Sequence, residues 1–128
     1  MSVVLQRNKQ VVRAFLEQVF NEHDVDGAIA RYVGTHYRQH NPQVGDGVHG
    51  FATFFHGFFK QYPHSSLHIK RMIAEEDQVA VHLHWKSDKD VAGDAVMDFF
   101  RLENGRIVEH WDVIQAVPAV SANNNSMF

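Results

Sequence analysis

Hydrophobic residues near the start of the chain recur at helical spacing. Between residues 3 and 20 the apolar side chains share one helical face: Val12, Phe15, Leu16, Val19 and Phe20. This spacing predicts an amphipathic helix that ends near Asn21. Asp24 is a suitable N-cap for a second, shorter helix, and Gly34 would stop that helix. Its apolar residues are Ile29, Tyr32 and Val33.

A third helix is expected over residues 48–61, where five phenylalanines fall within nine positions: Phe51, Phe54, Phe55, Phe58 and Phe59. Five such residues cover more than one helical face. The helix is therefore buried on two sides, or one side faces a cavity. Tyr62-Pro63 ends it, because the residue before a proline is disfavoured in helical conformation.

The pattern changes to strict alternation from Leu67 onward. Alternation predicts antiparallel strands over about residues 67–74, 79–85, 94–102 and 106–115. Turn residues separate them at 75–77 and 103–105. Residues 35–47, which include Pro42, are expected to form an irregular connection, and residues 116–128 an irregular tail.

Three helices followed by four strands indicate a single α+β domain over residues 1–128. We expect a cone-shaped molecule in which a curved sheet packs on three N-terminal helices. A strongly curved sheet cannot lie flat on its helices, so it leaves an interior pocket at its open end.

The last hairpin allows two registers. A two-residue Asn104-Gly105 turn would set Phe99 opposite His110. A bulged turn with Gly105 in the left-handed region would set Asp98 opposite His110. We prefer the bulged register, because it gathers ionisable and apolar residues on one face. That face carries Asp98, Phe100, His110, Asp112 and Ile114.

The chemistry of this patch suits proton transfer. Burial among apolar residues raises the pKa of a carboxyl group, and a neighbouring histidine can share its proton. Together such groups act as general acid and base on a small carbonyl compound. At this point the alternative, an ordinary surface ion pair in a hairpin, stays open.

Two further clusters of polar side chains are candidates for a functional site. His82 and His84 share one strand face and could join Asp98 or His110 in a metal site, or they could lie on the outer sheet face. A polar cluster before Pro42 could reach over the pocket mouth or simply form a turn: Tyr37, Gln39, His40 and Asn41. Motifs for phosphate loops, dinucleotides and zinc proteases are absent. Because the carboxylate ligands of such a metal site would lie at unknown distance, we expect no metal.

Composition restricts the kinds of partner, chemistry and cellular location that the chain could have. A net charge of -3 gives no reason to expect a nucleic-acid partner. The absence of cysteine removes thiol nucleophiles and disulfides, and it fits a cytoplasmic protein. Residues 1–10 lack the apolar core of a signal peptide, and no apolar run could span a bilayer. We therefore expect no membrane association.

Three segments resemble the SnoaL-like polyketide cyclase branch of the nuclear transport factor 2-like superfamily. They are residues 37–42, Asp46-Gly47 and residues 98–112, of which residues 105–112 are the most specific. The resemblance extends over nearly the whole chain. It implies a cone of three helices and a curved mixed sheet, a cofactor-free pocket, and a homodimer.

The resemblance also implies roles for individual residues. In the cyclases an aspartate near the end of this hairpin is the general acid/base of an intramolecular aldol condensation, and the matching residue is Asp112. A histidine on the preceding strand assists, and here the matching position is Asp98, a departure from the cyclase pattern. His40 resembles a pocket residue of the family. The superfamily also contains isomerases, dehydratases, epoxide hydrolases and binding domains.

We therefore expect a cofactor-independent enzyme that moves protons on a small apolar carbonyl compound by cyclisation, isomerisation or dehydration. Asp112 is the main acid/base, while His110 and Asp98 tune or relay protons. His40 and Asn41 orient a substrate oxygen, with Tyr37 beside them. The expected wall residues are Phe51, Phe55, Phe58, Trp85 and Phe100.

Two rival interpretations are retained. The first is a non-catalytic module that binds a lipid-like or aromatic ligand in the same pocket. The second is a dimeric scaffold whose exposed sheet face is functional, with Trp85, His82 and His84 pointing outward. In all cases a homodimer through the outer sheet face is expected. Met127 and Phe128 end a polar stretch and are expected to dock, on the partner's sheet or pocket.

Overall fold

The computed structural model describes residues 2–128 and confirms the α+β prediction. Three helices pack on one face of a five-stranded mixed sheet. The elements in chain order are α1 Val3–Phe20, α2 Val25–Tyr32, β1 Val33–Gln39, α3 Gly47–Gln61, β2 Ser66–Glu75, β3 Gln78–Lys86, β4 Asp94–Glu103 and β5 Arg106–Ala116. Within residues 2–128 no helix is both long enough and apolar enough to span a bilayer.

Side-chain caps explain where the first two helices begin. The Ser2 hydroxyl accepts a hydrogen bond from the Leu5 amide at 3.1 Å, so α1 starts directly after it. The Asp24 carboxylate does the same for Gly27 at 3.1 Å, as expected for α2. Asp24 also accepts from the Gln18 amide at 2.8 Å, which ties the two helices together.

Strand β1 was not predicted. Residues 35–41 were expected to be irregular, and Val33 was expected within the second helix, but β1 already begins at Val33. It pairs in parallel with β5 at the edge of the sheet, giving the strand order β1-β5-β4-β3-β2. The segment alternates weakly in hydrophobicity, because only Val33 and Tyr37 are buried.

Gly34 does not end the second helix, contrary to the sequence prediction, because α2 already ends at Tyr32. It lies in β1, where a Cβ atom would meet the Val108 side chain at 3.0 Å. Val108 is the extra residue of a β-bulge in β5, since Leu102 pairs with Ile107 but Arg101 pairs with Glu109. The missing side chain at position 34 leaves room for the bulge.

The bulge makes both predicted registers wrong. The Asn104-Gly105 turn is the two-residue type, with positive φ at both residues and Glu103 opposite Arg106. Beyond Val108 the pairing shifts, so Asp98 lies opposite Asp112 and Phe100 opposite His110. The predicted set of residues that share the inner face is nevertheless confirmed, because the bulge restores the same alternation.

The hydrophobic core lies between α1, α3 and the inner face of β3, β4 and β5. Its fully buried residues include Val12, Phe15, Val81, Phe100 and Ile107. The phenylalanines of α3 pack as an aromatic chain, with Phe51 and Phe55 centroids 4.6 Å apart. These rings continue toward Trp85, so they form the wall of a cavity rather than a solid core.

The C-terminal segment after β5 is irregular and returns to the outer sheet face of its own chain. The Phe128 ring stacks on His84 at 4.2 Å between centroids and on His82 at 5.6 Å. The Lys70 ammonium lies 5.4 Å from its centroid. Phe128 thus docks, as expected, and in this structure its site is the chain's own sheet.

The turn geometry generates a stability prediction. Gly105 has a φ of 77°, which an L-residue with a Cβ atom adopts only at a cost. Gly105→Ala should destabilise the fold by about 1–2 kcal/mol in chemical denaturation. The control is Gly57→Ala in α3, where a new Cβ meets nothing within 4 Å and should be neutral or stabilising. Equal effects of the two variants would contradict the turn assignment.

Candidate active site

A cavity of about 580 Å³ lies between α1, α3 and the inner sheet face. That volume suits a drug-sized ligand, and the walls are mainly apolar, with many aromatic side chains. Ile114 on the inner face lines the cavity and is 49% exposed, so the mouth lies near the end of β5. Ten of the predicted catalytic, orienting and wall residues line this cavity: Tyr37, Asn41, Phe51, Phe55, Phe58, Trp85, Asp98, Phe100, His110 and Asp112.

The shifted register brings three ionisable side chains together at one end of the cavity. The His110 Nε2 atom lies 2.8 Å from the Asp98 Oδ1 atom and 3.8 Å from the Asp112 Oδ2 atom. Asp98 and His110 are buried, and the Asp112 side chain is 11% exposed. Asp98 and His110 therefore form a hydrogen-bonded pair, and Asp112 stands just beyond hydrogen-bond distance of it.

Gln39, at the end of β1, fixes the tautomer of His110. Its Oε1 atom accepts from the backbone amides of His40 and Asn41 at 3.1 and 3.0 Å. Two such donors orient the side-chain amide with its oxygen toward them. The same oxygen lies 2.8 Å from the His110 Nδ1 atom, so Nδ1 must carry a proton and donate.

One mobile proton remains between His110 and Asp98. Because Nδ1 is already protonated, the contact between Nε2 and Oδ1 needs one further proton, carried by either atom. Burial raises the pKa of Asp98, and the nearby Asp112 charge adds to the rise, while His110 acts in the opposite direction. In both arrangements the pair is neutral overall.

Tyr37 supplies a hydroxyl group next to this pair. The Gln39 Nε2 group donates to the Tyr37 oxygen at 2.8 Å, which leaves the phenolic proton free to point elsewhere. Burial raises the pKa of Tyr37 far above its usual value, and the charges of Asp98 and Asp112 add to this. Tyr37 is therefore a hydrogen-bond donor at any ordinary pH.

Asn41 holds the third group, Asp112, in place. Its Nδ2 atom lies 2.9 and 3.0 Å from the two carboxylate oxygens of Asp112 and donates to them. Its own oxygen accepts from the Gln43 amide at 2.8 Å, which fixes the direction of the side chain. The loop that carries Asn41 is itself anchored, because the backbone N–H of Gln39 donates to the Asp46 carboxylate at 2.8 Å.

The structure places His40 outside the cavity, against the prediction that it orients substrate. Along an extended chain neighbouring side chains point to opposite faces, so Gln39 faces inward and His40 faces outward. His40 lies 2.7 Å from the Glu109 carboxylate and stacks on Trp111 with centroids 4.8 Å apart. Arg101 donates to the other Glu109 oxygen at 2.8 Å, which completes an outer-face cluster.

The alternative metal site, in which His82 and His84 would join Asp98 or His110, does not form. Both point to the outer face, away from Asp98 and His110 on the inner face. Trp85, the next residue, points inward and lines the cavity, so it does not support the scaffold interpretation, whereas His82 and His84 do face outward. Within residues 2–128 the one cluster with metal-ligand spacing is Asp98, His110 and Asp112, whose ligand atoms lie within 4.8 Å. Each of these residues is already hydrogen-bonded within the site.

A scan of protein families matched the SnoaL-like polyketide cyclase model over residues 10–122. The chain belongs to the SnoaL-like polyketide cyclase family. This confirms the resemblance noted in the sequence, and a cyclase-type role is what the family supports. A search of curated proteins returned no match.

Solved structures share the fold of this SnoaL-like chain. TsrD from Streptomyces laurentii is 21% identical with a TM-score of 0.69, over 85% of this chain and 88% of that one. AclR from Streptomyces galilaeus is 20% identical with a TM-score of 0.72, over 87% and 90%. A SnoaL-like protein of unknown function from Burkholderia thailandensis is 16% identical with a TM-score of 0.73, over 87% and 96%. At these identities the likeness establishes the fold alone.

The role of Gln39 can be tested by nuclear magnetic resonance. In the wild-type protein the ¹⁵N shift of His110 Nδ1 should be that of a protonated nitrogen. Gln39→Leu removes the acceptor, so the Nδ1 proton loses its partner and the neutral tautomers should redistribute. Gln43→Leu, which alters a neighbouring loop side chain, is the matched control. An unchanged Nδ1 signal in Gln39→Leu would refute the assignment.

The outer-face cluster predicts a pH-dependent stability. The hydrogen bond from His40, followed by Arg101, lowers the pKa of Glu109 from its ordinary value of 4.5. Its charge therefore stabilises the fold above the unfolded pKa, and this stabilisation is lost as the pH falls through the lower folded value. Glu109→Gln should cost about 1–2 kcal/mol at pH 7 and progressively less below about pH 4.5. Urea unfolding at several pH values measures the difference, and a constant difference down to pH 3 would contradict it.

Proposed function

We propose that this protein is an acid/base enzyme acting on a small apolar carbonyl compound inside the cavity. The observation that carries the proposal is the placement of Asp112 beside a neutral Asp98–His110 pair at one end of an aromatic chamber. A buried carboxyl group with a raised pKa, here Asp98, at the polar end of an apolar pocket is typical of active sites.

The three ionisable groups divide the work unequally. Asp98 is buried and shares a proton with His110, whereas the Asp112 carboxylate accepts from the Asn41 amide and its side chain is 11% exposed. Asp112 is therefore the group that reaches a substrate proton. The proton shared by Asp98 and His110 keeps that pair neutral, so Asp112 does not face a second free carboxylate. His110 is close enough to exchange a proton with Asp112 after a small shift.

The first step removes a proton from the carbon next to the substrate carbonyl. The Asp112 carboxylate takes the proton, and the electrons of the broken C–H bond form an enolate. The Tyr37 hydroxyl donates a hydrogen bond to the enolate oxygen, where the negative charge develops. The surrounding aromatic side chains exclude water and strengthen this interaction.

Two outcomes follow from the same enolate. If the substrate is a β,γ-unsaturated ketone, the enolate is a dienolate, and return of the proton from Asp112 to its γ-carbon gives the conjugated isomer. Alternatively, the enolate carbon attacks a second carbonyl of the same molecule and forms a carbon–carbon bond. The resulting alkoxide then takes the proton from Asp112, so the protein ends unchanged. The second outcome is the ring closure that the family name describes.

The rival function is binding without chemistry. The large share of aromatic wall in the cavity favours it, since such walls alone hold an apolar ligand. Substitution of Asp112 distinguishes the two functions, because a binding module needs no proton acceptor at that position. A ligand that binds equally well to wild type and Asp112→Asn, with no proton exchange in either, would support the rival.

Proton exchange on a simple ketone tests the enzymatic proposal. The wild-type protein should accelerate exchange of the α-protons of 2-tetralone for deuterium, measured by proton magnetic resonance in D₂O. Asp112→Asn should slow this exchange by about 10²-fold or more. Asp88→Asn, an exposed loop carboxylate, should exchange at the wild-type rate. Equal rates in wild type and Asp112→Asn would contradict the assignment.

We also propose a homodimer through the outer sheet face. Exposed apolar side chains lie on three strands of this face: Ile73 on β2, Met97 and Phe99 on β4, and Val113 on β5. Ala80 of β3 lies between Ile73 and Phe99, since it pairs with both. A contiguous apolar patch of this kind favours a protein partner, and a twofold arrangement would cover the same patch on both copies.

Light scattering coupled to size-exclusion chromatography tests the dimer. The wild-type protein should have the mass of two chains, and Phe99→Lys should have the mass of one. Val120→Lys, at an exposed position in the tail, is the control and should stay dimeric. A monomeric wild-type protein at micromolar concentration would overturn this proposal.

A further inference from the structure

Trp85 carries an unexplained hydrogen-bond donor. Its side chain lines the cavity, yet its Nε1 atom is the one buried side-chain nitrogen or oxygen within residues 2–128 that has no partner. A buried donor without an acceptor is costly, and native proteins keep few of them. Such an atom in a cavity wall points to a ligand that supplies the acceptor.

The packing around Trp85 fixes the indole ring. Phe58 contacts it with centroids 5.2 Å apart, and Tyr62 meets it edge to face at 5.7 Å. The ring is thus held by α3 and its C-terminal end, and no described side chain in this wall accepts the N–H. The rigidity of the ring favours a defined subsite over a loosely filled gap.

Asp94 lies directly opposite Trp85. The two residues are partners in the β3–β4 ladder, and both line the cavity. Facing side chains in such a pair start about 5 Å apart, so one small group can contact both. Asp94 offers acceptor oxygens and Trp85 offers a donor. A hydroxyl group matches this combination, because it accepts from the indole and donates to the carboxylate.

This pair stands at a distance from the acid/base groups. Asp94 and Asp98 are four residues apart on β4, which corresponds to about 13 Å along the strand. Asp94 and Asp98 alternate onto the same face, so both ends belong to one chamber. A ligand that reaches both ends must be elongated.

The charge of the lining excludes one class of ligand. Three carboxyl groups line the cavity, at Asp94, Asp98 and Asp112, and the lining contains no lysine or arginine. An anionic ligand would meet like charge at both ends without a compensating cation. The chamber therefore fits a neutral molecule.

We propose that Trp85 and Asp94 form a second ligand anchor that recognises a hydroxyl group at the end of the substrate remote from the reacting carbonyl. This rests on the proposed function for the position of the carbonyl, but the anchor itself concerns binding. The substrate class is then an elongated, neutral, mainly apolar hydroxy-ketone.

A matched set of naphthalene ketones tests the anchor by isothermal titration calorimetry. The probes are 2-acetylnaphthalene, its 6-hydroxy derivative, and its 6-carboxylate derivative. The variants are Trp85→Phe, which keeps an aromatic ring but lacks the N–H, and Trp111→Phe as control, because Trp111 is the other tryptophan and lies on the outer face. Asp94→Asn removes the charge and keeps hydrogen-bonding capacity.

The hydroxy-ketone should bind wild type and Trp111→Phe about tenfold more tightly than the plain ketone. In Trp85→Phe this ratio should fall to about one, and the ratio is the readout because a change in the cavity wall alters the affinity for both ketones. The carboxylate probe should bind wild type most weakly and gain affinity in Asp94→Asn. On hydroxy-ketone binding, the indole proton signal of Trp85 should also shift in the wild-type protein, which requires no variant.

A ratio near one in wild type, a ratio that survives in Trp85→Phe, or no binding of the hydroxy-ketone would each overturn the anchor. These outcomes are separate from failure of the proposed chemistry. If the hydroxyl preference depends on Trp85 while Asp112→Asn exchanges protons like wild type, the anchor stands and the acid/base assignment falls.

Discussion

The site depends on one extra residue in the last strand. Val108 bulges out of the β4–β5 ladder. Without this bulge, the register set by the Asn104-Gly105 turn would continue along both strands. In that unbulged register Trp111 and Glu109 would share the inner face with Asp98, and His110 and Asp112 would point outward. The bulge restores His110 and Asp112 to the cavity. Gly34 on the neighbouring strand has no side chain at the position where Val108 packs.

The resulting polar cluster is stable in an apolar cavity because its buried members satisfy one another. Gln39 accepts three N–H groups and donates to Tyr37, so a single side chain orients His110 and the tyrosine hydroxyl together. Asp98 and His110 neutralise each other by sharing a proton. A fully satisfied network of this kind is rigid, and rigidity keeps Asp112 in reach of a bound ligand.

Sequence patterns predicted the helices, four strands and the shared face of Asp98, His110 and Asp112, because these depend on strong periodicity. They missed strand β1, since a parallel edge strand with two buried residues carries little alternation. They also missed the bulge, because Val108 packs against Gly34 of β1, a strand that the patterns did not predict. The position of His40 was predicted wrongly because strand β1 was missed. Without β1, nothing determined which of Gln39 and His40 faces the cavity.

The most direct test of the roles of Asp112 and Tyr37 is a crystal structure with bound 2-naphthol, a stable mimic of an enol. We expect the naphthol oxygen to lie within hydrogen-bond distance of the Tyr37 hydroxyl, and the adjacent ring carbon to face the Asp112 carboxylate. His110 should still join Gln39 and Asp98. Naphthol bound outside the cavity, or inside it with its oxygen remote from both Tyr37 and Asp112, would contradict the central claim.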